Sequence, residues 1–186
     1  APFTLVEPII RQFDGTVAKG LVIDVLGADG ASILAAGTYG ELQNVTLIIS
    51  SGPLPDVGGK SVDEATQILA GVGLTARVGK QDFSDYPEGS VAGIDPESLT
   101  NGTAREGDTI DLVISRGPDL VQVPDVIGDN IAAAKAELES LGFVVEVDSL
   151  IPEESWDNNL AVVAATTPGP GEMAKRGSTV TIDGQI

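Results

Sequence analysis

Apolar residues recur at Val62, Ala65, Leu69 and Val72, in steps of 3, 4 and 3 that set all four on one face of a helix. The same steps return at Ile131, Ala134, Leu138 and Leu141. Ahead of the first run, Ser61-Val62-Asp63-Glu64 spells a capping box, in which the Ser61 hydroxyl accepts from the third amide and Glu64 reaches back to the cap. Asn130 holds the matching cap position before the second run. Gly73 and Gly142 follow where a left-handed residue is wanted, so each helix is expected to make about three turns. The period then changes from helical to alternating. Residues 74–78 and 143–147 read as strands that turn Arg77 and Glu146 toward solvent. Further strands are expected at 90–94 and 109–114, and in the second copy at 161–166 and 179–182, with the turns "DPESLTNGTAREGD" and "TPGPGEMAKRGS" between them.

The chain is therefore a repeat. Each copy opens on Pro-Asp-Val, at Pro55 and Pro124, and the pattern Ser-x-Gly-Pro stands just ahead, at Ser50 and at Ser115. One helix and roughly three strands per copy predict an α+β fold of tandem small modules in an extended array, each helix covering one face of its sheet. Residues 54–118 and 119–186 make two such units. Residues 1–53 carry only the later part of the plan, since Gly20-Leu21-Val22 answers Gly89-Ser90-Val91 and no capped helix precedes it. That stretch is expected to be a partial or degenerate unit.

Composition narrows the chemistry. Aromatics make up only 4%, which suits several small aliphatic cores better than one large interior. With 28 acidic against 10 basic residues the net charge is −18, and the bases are scattered, so no stripe exists to neutralise nucleic-acid phosphates. The absence of Cys and His excludes thiolate and imidazole catalysis, the usual zinc sites and disulfides. No cofactor is expected. "GGKS" before the first helix resembles the end of a phosphate-binding loop, but Leu54 stands where that pattern needs glycine. None of the protein-kinase signatures is present.

Pro-Asp-Val, a capped helix, Gly-Leu or Gly-Phe, a Gly-x-Val strand, then Gly-x-Thr running into Ser-x-Gly-Pro together resemble the PASTA repeat. The likeness covers residues 54–186 well and 1–53 in part. It implies the wall-side part of a bacterial transmembrane serine/threonine protein kinase, non-catalytic in itself, with the membrane span outside this chain. It further implies binding of peptidoglycan fragments (muropeptides) within the cell wall, and cell-division or wall-synthesis proteins as further partners. Two other readings stay open: a spacer or protein-docking rod without a ligand, and the tail of a class B penicillin-binding protein.

Given that ligand, the joints are the most informative places. Leu54 alone separates Pro53 from Pro55, whereas residues 119–123 separate Pro118 from Pro124 and can span up to about 16 Å. Arg116, beside Pro118, is a fixed positive charge that can pair with a stem-peptide or muramic carboxylate; as a bland alternative it is a solvated strand end. Phe13, Phe83 and Trp156 recur just ahead of the middle strand of each copy, either to plug a small core or to stack on sugar rings, with Trp156 the best placed for stacking. Arg77 and Glu146 complete the candidate ligand-binding set; the acidic stretch around Glu146 also suits a solvated loop.

Overall fold

The computed structural model describes residues 4–5, 9–34, 44–157 and 161–186, and the chain divides into two compact units, Ala1–Gly117 and Pro118–Ile186. The first unit opens with β1 (Thr4–Leu5), β2 (Ile10–Gln12), β3 (Val22–Leu26) and β4 (Asn44–Ser50). β1 and β2 run parallel to β4, and β3 antiparallel to it. The same unit continues with α1 (Val62–Ala70), β5 (Thr75–Asp82), β6 (Val91–Ile94) and β7 (Thr109–Ser115). Their sheet has the order β5-β7-β6, with β5 parallel and β6 antiparallel to the central strand.

The second unit repeats that arrangement after an added strand. It holds β8 (Leu120–Gln122), α2 (Ile131–Ser140), β9 (Val144–Asp148), β10 (Val162–Thr167), β11 (Met173–Lys175) and β12 (Thr179–Gln185). β12 is central, parallel to β9 and antiparallel to β10, while β8 and β11 form a separate antiparallel pair. The fold is thus the expected helix on a three-stranded sheet, written twice, preceded by a segment whose described residues show the parallel and antiparallel pairings without the helix.

Each helix forms where its cap allows. The Ser61 hydroxyl accepts from the Glu64 amide at 3.3 Å while the Ser61 amide donates back to the Glu64 carboxylate at 3.1 Å. Asn130 accepts from the amides of Ala132 and Ala133. The helices run nine and ten residues, a little short of three turns, and the chain reverses through Gly73 and Gly142, at φ +81° and +91°, a region costly for any residue with a Cβ. The apolar stripes then meet the sheets. Ala65, Leu69, Val91, Ile110 and Leu112 form one core, and Ile131, Ala134, Leu138, Val163, Val180 and Ile182 form the other; the two share no residue.

The Ser-x-Gly-Pro pattern has a physical cause. The buried Ser115 hydroxyl donates to the Tyr86 carbonyl at 2.8 Å and accepts from the Gly117 amide at 2.9 Å, closing a turn that only a residue tolerant of φ +78° completes easily. Ser50 does the same with Val17 and Gly52. The serine pins the end of its central strand to the loop beside it.

The joint between Pro118 and Pro124 carries a strand of its own: Leu120, Val121 and Gln122 lie opposite Lys175, Ala174 and Met173 as β8. Backbone groups left open beside a sheet edge find partners there rather than in solvent.

Candidate functional site

The candidate residues fall at separate places. At the end of β7 the Arg116 amide donates to the Asp82 carbonyl at 2.8 Å, which seats its side chain beside Phe83. The guanidinium carbon lies 4.4 Å from the centre of the Phe83 ring, a cation–π contact that leaves the ring 45% exposed. Other cations of this acidic chain face carboxylates instead: Arg11 meets Glu106, Arg77 meets Asp111, Lys80 meets Asp95 and Arg176 meets Asp119. No carboxylate pairs with Arg116 among the described residues, so its planar fork stays open to an anion.

Arg77 is differently placed. It gives two bonds to Asp111, at 2.7 and 2.8 Å, across the parallel pair β5 and β7. Asp111 is held below the ordinary carboxylate range, chiefly by those bonds, and the guanidinium is raised in turn. With its fork filled, Arg77 has little left to offer a ligand. It also stands five positions along β5 from Asp82, roughly 16 Å from the Arg116 end at strand spacing.

In the second unit, Pro118 is the half-buried first residue. Glu146 sits on β9 between Val145 and Val147, which pack into the core, so alternation turns Glu146 to the uncovered face of the sheet. Trp156 lies on the other side. It packs against the core, its indole donates to the Ile151 carbonyl at 3.0 Å, and the Lys135 ammonium of α2 stands 5.6 Å from the ring centre. The remainder of its loop, 158–160, lies outside the described residues. Glu146 and Trp156 therefore do not share a site.

The three recurrent aromatics have three fates. Phe13 is a core plug at 4% exposure, but in the core of the copy that follows it; Trp156 is half-buried in its own; Phe83 plugs nothing. The pairing of Arg116 with Phe83 escaped sequence reasoning, although Ser-x-Gly-Pro carried the signal: its serine pairs in register with the residue just before the phenylalanine.

The PASTA domain model matches residues 53–116 and 121–183. A probable serine/threonine-protein kinase of Corynebacterium efficiens is 37% identical over 176 residues, covering 90% of this chain and 24% of that protein. The serine/threonine-protein kinase PknB of Mycolicibacterium smegmatis is 33% identical over 129 residues, covering 69% and 20%. The chain thus spans about a quarter or less of the length of these relatives. The extracellular region of the Ser/Thr kinase PrkC from Staphylococcus aureus aligns over 97% of this chain and 62% of that one, with 25% identity and a TM-score of 0.48. The matched residues are PASTA domains, which are non-catalytic modules. Two capped helices, each on a three-stranded sheet, and a family model that covers both together settle the family: this chain belongs to the PASTA-domain family.

Proposed function

We propose that the chain is the sensing or anchoring part of a transmembrane serine/threonine protein kinase, placed outside the cell within the wall, where it binds muropeptides through Arg116. The kinase relatives support the parent, and this favours a kinase over a penicillin-binding protein. No helix among the described residues is long and apolar enough to cross a membrane, and in this proposal the span and the kinase domain lie in other parts of the parent. The observation that carries the ligand is the open fork of Arg116 in a protein of net charge −18. A guanidinium held by a ring keeps its donors aimed outward, which suits the paired oxygens of a stem-peptide or muramic carboxylate. The exposed Phe83 ring beside it offers an apolar face to a sugar or a peptide side chain. Pro118 fixes the backbone just beyond. Cell-division and wall-synthesis proteins remain the proposed further partners.

A muropeptide titration followed by amide NMR is expected to move Phe83, Arg116 and Gly117, and Arg116→Glu to abolish those shifts. Shifts confined to the Trp156 loop, or none at saturating ligand, would exclude the Arg116 site. The rod alternative draws support from one feature, the bonding of residues 10–13 to the next copy. It gains if shortening the parent's repeat array alters signalling while Arg116→Glu does not.

A further inference from the structure

Phe13 and Phe83 occupy the same place in their copies. Gln12 pairs with Ser50 and Asp82 with Ser115 in parallel register, and each phenylalanine comes next. The following bonds match as well, since Asp14 donates to the Gly52 carbonyl as Ser84 donates to that of Gly117. Yet Phe13 is 4% exposed and Phe83 45%.

The difference lies in what covers the edge at 103–106. There the Phe13 amide donates to the Ala104 carbonyl at 2.8 Å and the Glu106 amide to the Arg11 carbonyl at 3.0 Å. The Thr103 hydroxyl donates to the Phe13 carbonyl at 2.6 Å, and Gln12 bridges Arg105. In the last copy the matching edge is β11, and its occupant is β8: Leu120 lies opposite Lys175, Val121 opposite Ala174, and the Arg176 amide donates to the Asp119 carbonyl at 2.8 Å. Position by position, Arg11 stands where Asp119 stands, Gln12 where Leu120 does, and Phe13 where Val121 does. The single residue Leu54 is too short a joint to lay a strand along its own module's edge, whereas the joint at 119–123 supplies one.

A charge pair marks each edge. Arg11 faces Glu106 at 3.8 Å and Asp119 faces Arg176 at 2.8 Å, the same two positions with the signs exchanged. Each strand laid on the other's edge would set like charges together, Arg11 against Arg176 or Asp119 against Glu106. Both pairs are well solvated, so they bias the choice of strand while the apolar anchor and the joint length carry most of it.

We infer that the 103–106 edge is a docking site for an extended strand with an aromatic anchor, filled in this chain by residues 10–13. Joint length, helped by the charge pair, decides whether residues 10–13 or a strand from the joint itself takes this edge, and with it whether Phe13 is a lock. Nothing in this depends on what Arg116 binds.

The test uses the full chain with Leu54 replaced by Asp-Leu-Val-Gln-Val, a copy of residues 119–123, together with Glu106→Arg, and reads amide hydrogen exchange by NMR. The added strand is expected to take the edge, so that the Phe13 amide exchanges at least about tenfold faster while the amide of residue 106 stays protected. A Phe13 amide as protected as in the natural chain overturns the inference. Phe13→Ala at natural joint length gives a second reading. Protection of the Glu106 amide should fall while that of Arg176 holds, and an unchanged Glu106 amide is equally fatal. Glu106→Arg alone should weaken protection at 11–13, and Arg11→Glu added to it should restore it; failure of the rescue removes the charge pair from the account.

Discussion

Leu69 of α1 and Leu138 of α2 hold the same place in their copies, each fully buried, in cores that share no residue. Truncation to alanine removes three carbons and leaves a cavity that well-packed neighbours fill only in part, at a cost of about 3–4 kcal/mol. Domains this small hold only about 5–10 kcal/mol in all, so either change should dominate its own unit. The chain's one tryptophan makes the two units separable. Trp156 packs against the second core, so its fluorescence follows that unit, whereas far-UV circular dichroism follows both helices. In urea, with a slope of about 1 kcal/mol per molar for so small a unit, Leu138→Ala should lower the fluorescence midpoint by about 3 M. Leu69→Ala should leave that midpoint in place and produce an early loss of circular dichroism instead. If both variants move the Trp156 transition by the same amount, the chain has one continuous interior, and the division into helix-on-sheet modules is wrong.

Ser115→Ala removes the hydroxyl that accepts from the Gly117 amide and donates to the Tyr86 carbonyl, and should cost the first unit about 1–3 kcal/mol, seen in the dichroism phase and absent from the Trp156 phase. Arg77→Ala breaks the bonds that hold Asp111 below its ordinary value of 3.8. A carboxyl depressed in the folded state contributes stability that is present above its unfolded pKa and lost as pH falls through the folded one, so the variant should lose less on acidification below pH 3.8 than the parent does. A carbon-detected titration of the Asp111 carboxyl should show the rise directly, while muropeptide shifts at Arg116 stay as they were.

Local rules carried far along this chain and then stopped at pairings set by distance. Both helices, their caps at Ser61 and Asn130 and the three strands behind each were legible, because period, cap and glycine agree within a short window. The strands β8 and β11 were not legible. "LVQ" and "MAK" are short, and each becomes a strand only because the other lies beside it. The aromatics show the limit more sharply. Phe13 and Phe83 follow the same register and precede the same turn, so nothing in their neighbours separates a buried residue from an exposed one. What separates them is a partner far along the chain: Phe13 lies on the 103–106 edge of its own compact unit, which no residue near it in sequence names.

The residue between serine and glycine in Ser-x-Gly-Pro differs between the two copies. Where Phe13 is locked, the position holds Ser51, whose hydroxyl donates to the Glu106 carboxylate at 2.8 Å and so adds a bond to the occupied edge. Where Phe83 is free, the position holds Arg116, which lies over the ring and reaches no carboxylate among the described residues. A small structural side chain thus accompanies the buried ring and an open cation the exposed one. If Arg116 and the exposed Phe83 ring together hold a ligand, Arg116→Ser should cost the first unit no more than about 1 kcal/mol, the worth of an exposed cation–π contact, and still abolish the muropeptide shifts. A loss of stability well beyond that figure, with binding retained, would make Arg116 a structural residue and move the search for the ligand elsewhere on the chain.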